Sequence, residues 1–405
     1  MNARTDHPGF GVYVHFPYCR QRCAYCDFAV AVRPDIPHQE YLDALIAELS
    51  AKAPLFAGRR LRSVYFGGGT PSLWRPDCLS IALREVLSRF DLETESELEV
   101  TLECDPGDVS LAQLSAWRHA GVCRLSIGAQ TFSDAQLKTL RRQHASHQIG
   151  ELVTLARRAG FANLSIDLLI GMSGQTESQQ IEDLQKLLIL NPEHVSLYQL
   201  TIEPHTFLAV QIRRGNAQPP SPDQQADSYQ RAIETLSRAG FRQYEISNFA
   251  RALPSDPDYR SAHNRLYWTH GEYLGIGVSA HSFRQLPDGR GERFASIRGP
   301  SSYLRTWQNP WPGEFRLSAE NPSLSLYELR EPEALWREAL WLRLRELDGV
   351  TWSDFVALHK VDPRRVCQSI IADLVARDLV LADENSLRLS ARGVLFADDV
   401  GAAFL

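Results

Sequence analysis

The sequence lacks the features that would place the protein outside the cell or across a membrane. Its 405 residues contain no uninterrupted apolar run of about 18, the length that a transmembrane helix requires. The first ten residues, MNARTDHPGF, lack the apolar core of a signal peptide. We therefore expect a cytoplasmic protein.

The sequence also has fewer basic than acidic residues. The 43 Lys and Arg residues are outnumbered by 49 Asp and Glu residues, which gives a net charge of -6. A nucleic-acid-binding protein normally carries a basic excess or stripe, so we expect no nucleic-acid partner. The hydrophobic content of 44% and the charged content of 23% are those of an ordinary globular protein, long enough for one large domain and a smaller one.

The seven cysteines are an odd number, and three of them, Cys19, Cys23 and Cys26, fall within eight residues. Clustered soft sulfur ligands favour zinc, copper(I) or an iron-sulfur centre. No fourth cysteine or histidine follows at zinc-finger spacing, and closed zinc sites use four ligands, so a centre with one open position fits better. A zinc loop or a disulfide is the alternative, although the odd count and the absence of a secretory segment disfavour disulfides.

Strand-like and helix-like segments alternate from the start of the chain to about residue 250. The apolar strand segments are residues 12–16, 62–66, 98–102, 122–127, 164–169 and 195–200. Such alternation predicts an α/β fold with a parallel sheet. The number of units favours a complete or partial (β/α) barrel, and no GxGxxG follows the first strand as it would in a dinucleotide-binding fold.

Polar and flexible residues stand where these strands end. Gly67, Gly68 and Gly69 follow the second strand, and Glu103, Gln130 and Asp167 follow or close later ones. In (β/α) barrels the functional residues gather at the carboxyl ends of the strands. The sequence therefore predicts a site at this edge of the sheet.

The C-x3-C-x2-C loop after a first strand, together with the GGGTP stretch at residues 67–71, resembles the radical S-adenosylmethionine (SAM) superfamily. The resemblance implies a partial (β/α) barrel of radical SAM type and a 4Fe-4S cluster on Cys19, Cys23 and Cys26, with SAM on the fourth iron. It also implies SAM contacts at positions Tyr13, Tyr25, Gly68, Gly69, Thr70, Glu103, Gln130, Arg142 and Asp167.

Within the superfamily, the chain is similar to the branch that contains oxygen-independent coproporphyrinogen III dehydrogenase and a heme chaperone. The dehydrogenase carries a further cysteine two residues after the third cluster cysteine, where this chain has Phe28, and it has a longer N-terminal extension. The HNRLYW stretch at residues 263–268 resembles an HNxxYW motif that is associated with heme in the chaperone. The resemblance implies heme binding by His263, Tyr267 and Trp268, and His281 is a second candidate ligand.

The resulting expectation is a heme chaperone that binds a 4Fe-4S cluster, SAM and heme and transfers heme to an acceptor protein. The alternative is a dehydrogenase that cleaves SAM and oxidatively decarboxylates coproporphyrinogen III; a radical enzyme that modifies RNA would need a basic surface. No catalytic residue is assigned. The sequence leaves open whether SAM is cleaved, whether the acceptor is membrane-associated and whether the protein forms a homodimer.

The pattern changes after residue 300. Residues 301–332 contain NPWPG and few periodic apolar residues, and they are expected to connect the radical SAM domain, residues 1–300, to a C-terminal domain, residues 333–405. Helical patterns followed by two apolar runs around residues 382–386 resemble a winged helix. Because this region is not strongly basic, we do not expect it to bind DNA.

Overall fold

The computed structural model describes residues 9–92, 98–107, 109–308 and 313–405. Its strands are β1 Phe10–Phe16, β2 Tyr18–Cys19, β3 Ala31–Val32, β4 Arg60–Gly68, β5 Asp91–Leu92, β6 Glu99–Cys104, β7 Arg124–Gln130, β8 Asn163–Ile170, β9 His194–Gln199, β10 Phe241–Gln243, β11 Asn248–Arg251, β12 Tyr273–Gly277, β13 His281–Gln285, β14 Gly291–Ser296, β15 Leu324–Arg330, β16 Val350–Thr351, β17 Val380–Ala382 and β18 Ser386–Leu389.

The α-helices of these ranges lie mostly between the strands. They are α1 His38–Lys52, α2 Pro76–Leu87, α3 Leu111–Ala120, α4 Asp134–Thr139, α5 Ser146–Arg158, α6 Glu177–Ile189, α7 Phe207–Arg213, α8 Pro222–Arg238, α9 Ala262–Trp268, α10 Pro300–Trp307, α11 Pro332–Arg343, α12 Trp352–His359, α13 Pro363–Val366, α14 Gln368–Ala376 and α15 Ala397–Ala402. None of the helices in the described ranges has both the length and the apolar composition that a membrane span requires.

One large open sheet forms the main body of the molecule. Its strands lie in the order β10-β11-β9-β8-β7-β6-β4-β1-β12-β13-β14-β15, and β5 pairs with β4. The central run from β9 to β12 is parallel, whereas both flanks are antiparallel. The predicted α/β fold is thus confirmed, with a partial barrel whose edges are β10 and β15.

Burial explains why these segments form strands and helices. Six of the seven residues of β1 are buried, as expected for a central parallel strand that is covered on both faces. The helices are apolar on one side only: α5 buries Ile149, Leu152, Val153 and Ala156, which recur at helical spacing. Packing of such faces on the sheet produces one continuous core.

The parallel strands all present their carboxyl ends at the same edge of the sheet. The end of β1 leads into the cysteine loop, and β4 ends in the glycine stretch. Glu103, Gln130 and Asp167 lie at or near the ends of β6, β7 and β8. The topology therefore brings together residues that are far apart in sequence.

The predicted connecting segment, residues 301–332, contains regular structure. Helix α10 packs against α1, and β15 pairs along its length with β14 as the edge strand of the main sheet. The domain boundaries at residues 300 and 332 stay a prediction.

The C-terminal region has its own small sheet and core. Strands β16, β18 and β17 form a three-stranded antiparallel sheet, which includes the predicted hairpin, and helices α11 to α15 pack on it. Several contacts attach the region to the main body; among them, Arg265 Nε donates to Glu346 Oε1 at 2.7 Å, and Leu347 N donates to Tyr244 O at 2.9 Å.

Candidate cluster and cofactor site

The cysteine loop is fixed at its base by a short parallel pair of strands. Tyr18 pairs with Ala31 and Cys19 with Val32, so the chain between them projects as one loop. Cys26 N donates to Cys23 O at 3.4 Å, which makes a tight turn between the second and third cysteines. Cys19 is buried, while Cys23 and Cys26 are half-buried.

Other parts of the chain hold this loop from both sides. Thr70 Oγ1 donates to Cys19 Sγ at 3.4 Å, and Arg142 Nη1 donates to Cys23 Sγ at 3.6 Å. The backbone of Ala24 bonds to Leu140 O at 2.9 Å and accepts from Leu208 N at 2.8 Å. The loop therefore has a defined position at the strand ends.

The arrangement of the three thiols distinguishes between the metal centres that the sequence leaves open. All seven cysteines are free thiols. Within the described ranges, no group of three or more Cys, His, Asp or Glu residues is placed to hold a single metal ion. An iron-sulfur cluster bonds each thiolate to a different iron, so its cysteines need only surround a cavity, as these do.

Burial determines the protonation state of Cys19 when no metal is bound. Burial raises the pKa of this thiol to about 11, against the opposing effect of the hydrogen bond from Thr70. Cys19 is thus a thiol in the metal-free protein. Because a metal binds the thiolate, loading of the site releases its proton.

A cavity of about 450 Å³ lies between the cysteine loop and the strand ends, and we call it the large cavity. It is lined by the three loop cysteines and by eight of the nine residues predicted to contact SAM: Tyr25, Gly68, Gly69, Thr70, Glu103, Gln130, Arg142 and Asp167. The structure thus brings together residues from the loop, from four strands and from the segment after α4.

Tyr13, the remaining predicted SAM contact, borders the large cavity without lining it. Its hydroxyl is 3.1 Å from Nδ1 of His15, and its ring lines a separate cavity of about 310 Å³, which we call the second cavity. The Tyr13 ring still lies close to Glu103, because a Cβ on Gly67 would be 3.0 Å from Tyr13 Cε2 and 3.1 Å from Glu103 Oε1. His15 makes a further hydrogen bond through Nε2 to Ala29 O at 3.0 Å, so both of its ring nitrogens have hydrogen-bond partners.

Two glycines lie where the backbone comes close to side chains of the site. Gly68 has φ of 110°, and a Cβ there would lie 2.5 Å from the ring of His15. A Cβ on Gly128 would lie 3.2 Å from Nη2 of Arg142. Both glycines let side chains of the site pass against the backbone.

Glu103 lines the large cavity and has a shifted pKa. It accepts hydrogen bonds from the Tyr65 hydroxyl at 2.9 Å and from Gly68 N at 3.1 Å. Burial raises its pKa to about 7; the hydrogen bond from Tyr65 opposes the shift, and the nearby carboxylate of Asp167 adds to it. A buried carboxyl in this state favours a cationic partner such as an amino group.

Asp167 is surrounded by hydroxyl groups. Ser126 donates to it at 3.1 Å and Ser165 at 3.3 Å. Burial raises its pKa, and hydrogen bonds from serine hydroxyls oppose the shift. Such a carboxyl group, held in a fixed orientation, can accept from the hydroxyl groups of a ribose.

Arg142 is held by an acidic residue that the sequence pattern did not single out. Its Nη2 donates to Asp105 Oδ2 at 2.7 Å and to Gly128 O at 2.8 Å. Burial alone would raise the pKa of Asp105, but a hydrogen bond with His144 and the charge of Arg142 outweigh it, so the net pKa is lowered. The pair fixes a positive charge beside Cys23.

Tyr65 and Tyr198 also line the large cavity without having been predicted. Tyr65 lies two residues before Gly67 on β4, and strand alternation could have placed it on the same face. Tyr198 lies beside Gln199 at the end of β9, a position that strand-end reasoning could have found.

Of the residues predicted to contact heme, His263 and Tyr267 lie in direct contact, and Trp268 faces a different neighbour. His263 is 1% exposed, and its ring nitrogens lie 2.8 Å from Ser63 Oγ and 2.9 Å from the Tyr267 hydroxyl. Tyr267 lines the second cavity. Trp268 is half-buried, lines neither cavity and packs against the guanidinium of Arg345.

The sequence matches two family descriptions over separate parts of the chain. Residues 13–188 match the Radical SAM superfamily, and residues 331–396 match the HemN C-terminal domain. The solved structure of coproporphyrinogen III oxidase (HemN) from Escherichia coli, described as a radical SAM enzyme, is 25% identical. It aligns over 99% of this chain and 91% of its own with a TM-score of 0.80.

Similar proteins also extend over nearly the full length. The heme chaperone HemW of Haemophilus influenzae is 32% identical over 98% of both chains, and that of Escherichia coli is 36% identical over 74% of this chain and 76% of its own. A mouse mitochondrial protein, radical S-adenosyl methionine domain-containing protein 1, is 36% identical over 96% of this chain and 86% of its own. The chain therefore belongs to the radical SAM superfamily and, within it, to the family of proteins named heme chaperone HemW.

Proposed function

We propose that the protein is a heme chaperone that binds a 4Fe-4S cluster, SAM and heme and delivers heme to an acceptor protein. It belongs to a family of that name over nearly its whole length. Within the site, the observation that best supports the proposal is the presence of Phe28. The side chain at this position is 59% exposed and lines the large cavity, where the dehydrogenase would place a further cysteine.

Each part of the large cavity has a separate binding task in this proposal. Cys19, Cys23 and Cys26 hold the cluster, which supplies an iron with an open position for SAM. Glu103 receives the amino group of SAM, and Arg142 pairs with its carboxylate in a charge-assisted hydrogen bond. Asp167 accepts from the ribose hydroxyls, and Gly68, Gly69 and Thr70 bring the backbone of β4 against the ligand.

The delivery step requires a protein partner. We propose that the acceptor is a heme protein that meets the chaperone in the cytoplasm, including one whose heme site lies at a membrane surface. A homodimer is a second arrangement in which the chaperone could present its heme. Native mass spectrometry of the heme-loaded protein, alone and with an acceptor, distinguishes these assemblies.

The second candidate function is the oxidative decarboxylation of coproporphyrinogen III. The fold similarity to coproporphyrinogen III oxidase, at a TM-score of 0.80, favours it. Phe28 in place of a cysteine counts against it, because a thiol at this position is the feature that distinguishes the dehydrogenase.

The test is anaerobic reconstitution of the cluster followed by two parallel assays. Heme is titrated by absorbance, and coproporphyrinogen III conversion is followed with SAM and a reductant. Stoichiometric heme binding without conversion is expected. Conversion without specific heme binding would replace the chaperone function with the dehydrogenase function.

A further inference from the structure

We infer that heme binds in the second cavity, beside the large cavity, with His281 as the axial ligand of the iron. This inference rests on the proposed heme-chaperone function and specifies where the heme lies. It replaces His263 by His281 as the ligand and assigns Phe28 and Arg298 to the same site.

The second cavity has the lining that a porphyrin face needs. Tyr267 of the HNRLYW stretch, Tyr13, Tyr273 and Phe28 place aromatic rings around a space of about 310 Å³. Flat aromatic side chains bury a large apolar area and stack on π-systems. A space of this size covers only part of an iron porphyrin, so an edge remains outside for an acceptor to take.

His263 is poorly placed to bind iron. Both of its ring nitrogens are hydrogen-bonded, one to Ser63 and one to Tyr267, and the ring is almost completely buried. The amides of Ala262 and His263 also donate to Glu99, which anchors the first turn of α9. His263 holds the Tyr267 hydroxyl by a hydrogen bond. Iron ligation by His263 would break one of its two buried hydrogen bonds.

His281 differs from His263 in each of these respects. It lines the second cavity at the start of β13 and is exposed, and within the described ranges its imidazole has no hydrogen-bond partner. A tight turn positions it: Gly277 has φ of 101°, Ser279 has φ of 58°, and Ala280 N donates to Gly277 O at 3.2 Å. The ring nitrogen is therefore available to a ligand.

The charges around His281 favour heme in two ways. Its pKa is lowered by burial and by the charges of Arg293 and Arg298, with Glu328 opposing, so the ring is neutral and can donate a lone pair to iron. Arg293 is ion-paired with Glu338, whereas Arg298 is exposed and has no ion-pair partner in the described ranges. Arg298 does not line the second cavity, but its charge reaches His281, so in this inference it pairs with a propionate that extends out of the cavity.

Phe28 belongs to this site, and it stands at the sequence position where the dehydrogenase has a further cysteine. It lines both cavities and lies two residues after Cys26, the last cysteine of the loop. An aromatic ring here supplies an apolar wall to the porphyrin. A cysteine would remove that wall.

The test is a titration of the cluster-containing protein with hemin, followed by the Soret band and electron paramagnetic resonance. His281→Ala should weaken heme binding about tenfold or more, since it removes the axial bond. His281→Cys should retain heme and shift the Soret band to that of a thiolate complex, a change that a purely structural residue would not cause. Phe28→Ala should weaken binding while leaving iron-sulfur absorbance unchanged.

His147→Ala is the matched control, because His147 is an exposed histidine on α5 that lines neither cavity. Its titration should equal that of the unaltered protein. Unchanged affinity and an unchanged Soret band in both His281 variants would overturn the inference while leaving the chaperone function intact. Absence of stoichiometric heme binding by the unaltered protein would overturn the function and the inference together.

Discussion

Arg142 connects Asp105 to Cys23: one guanidinium nitrogen donates to Asp105 Oδ2 at 2.7 Å and the other to Cys23 Sγ at 3.6 Å. The side chain of Arg142 is 11% exposed and that of Asp105 is 24% exposed. Removal of one partner from an ion pair this sheltered leaves an uncompensated charge, and the pair places a positive charge beside a cluster ligand. The Asp105–Arg142 ion pair therefore affects both the stability of the strand ends and the charge beside the cluster ligand Cys23.

Asp105→Asn should lower the free energy of unfolding by about 1–3 kcal/mol at pH 7, because it leaves a largely buried guanidinium without its counter-charge. The pKa of Asp105 is lowered in the folded protein, so its contribution is complete above the ordinary pKa and is lost as the pH falls through the folded value. Urea unfolding at several pH values measures this. Asp77→Asn is the control, since the Arg75–Asp77 pair is exposed; an equal loss in that variant would contradict the prediction.

Cys23→Ala should abolish the iron-sulfur absorbance after anaerobic reconstitution, because the loop would supply two thiolates instead of three. Cys78→Ala is the control: Cys78 is a buried thiol on α2 and lines neither cavity. That variant should reconstitute normally. Iron and sulfide content equal to that of the unaltered protein in Cys23→Ala would remove Cys23 from the ligand set.

Glu103 should make SAM binding depend on pH. Its pKa of about 7 means that the carboxylate form becomes scarce below neutrality, so SAM affinity should fall about tenfold per pH unit well below pH 7. Isothermal titration calorimetry between pH 5.5 and about 8 tests this. In Glu103→Gln, binding should be weaker and independent of pH over that interval, and a persistent slope would assign the titration to another group.

The same carboxyl group should affect stability in the opposite direction to Asp105. A folded-state pKa raised above the unfolded value means that the native state holds an extra proton between them, so stability falls as the pH rises from about 4.5 to about 7. Glu103→Gln removes this loss and should raise the melting temperature more at pH 8 than at pH 5. An equal rise at both pH values would show that charge burial is not the cause.

Arg265 and Glu346 should contribute to attachment of the C-terminal region. The Glu346 side chain is 6% exposed, and it also accepts from Arg343 Nη1 at 2.6 Å. Glu346→Gln should therefore destabilise the protein by about 1–3 kcal/mol and increase proteolysis between the two regions. Asp348→Asn, which breaks the exposed pair with Arg242, should change stability by less than about 1 kcal/mol. Equal effects of the two variants would contradict this assignment.

Much of the site could be predicted from the sequence because its signals are local. The cysteine spacing, the glycine stretch and the strand-end positions of Glu103 and Asp167 each depend on a few consecutive residues. The parallel sheet then brings them together, since all its strands end at one edge. Eight of the predicted SAM contacts line one cavity for this reason.

The remaining features depend on contacts between distant segments. Ser63 is hydrogen-bonded to the ring of His263, although the two residues are 200 positions apart in the sequence. No motif indicates that this histidine already has a hydrogen-bond partner. Asp105 and Arg142 are 37 residues apart and carry no pairing signal. Strand β15 was not predicted because its residues are mostly half-buried, which weakens the apolar pattern.

The position of β1 in the sheet has a consequence for synthesis of the chain. One edge of β1 pairs with β4, but the other pairs with β12, whose residues follow more than 250 positions later. An incomplete chain on the ribosome therefore presents an unpaired apolar strand edge immediately before the cysteine loop, and such edges promote aggregation. The strand that supports the cysteine loop is enclosed on both sides only after about two-thirds of the protein has been made, because β12 ends at Gly277 of 405 residues.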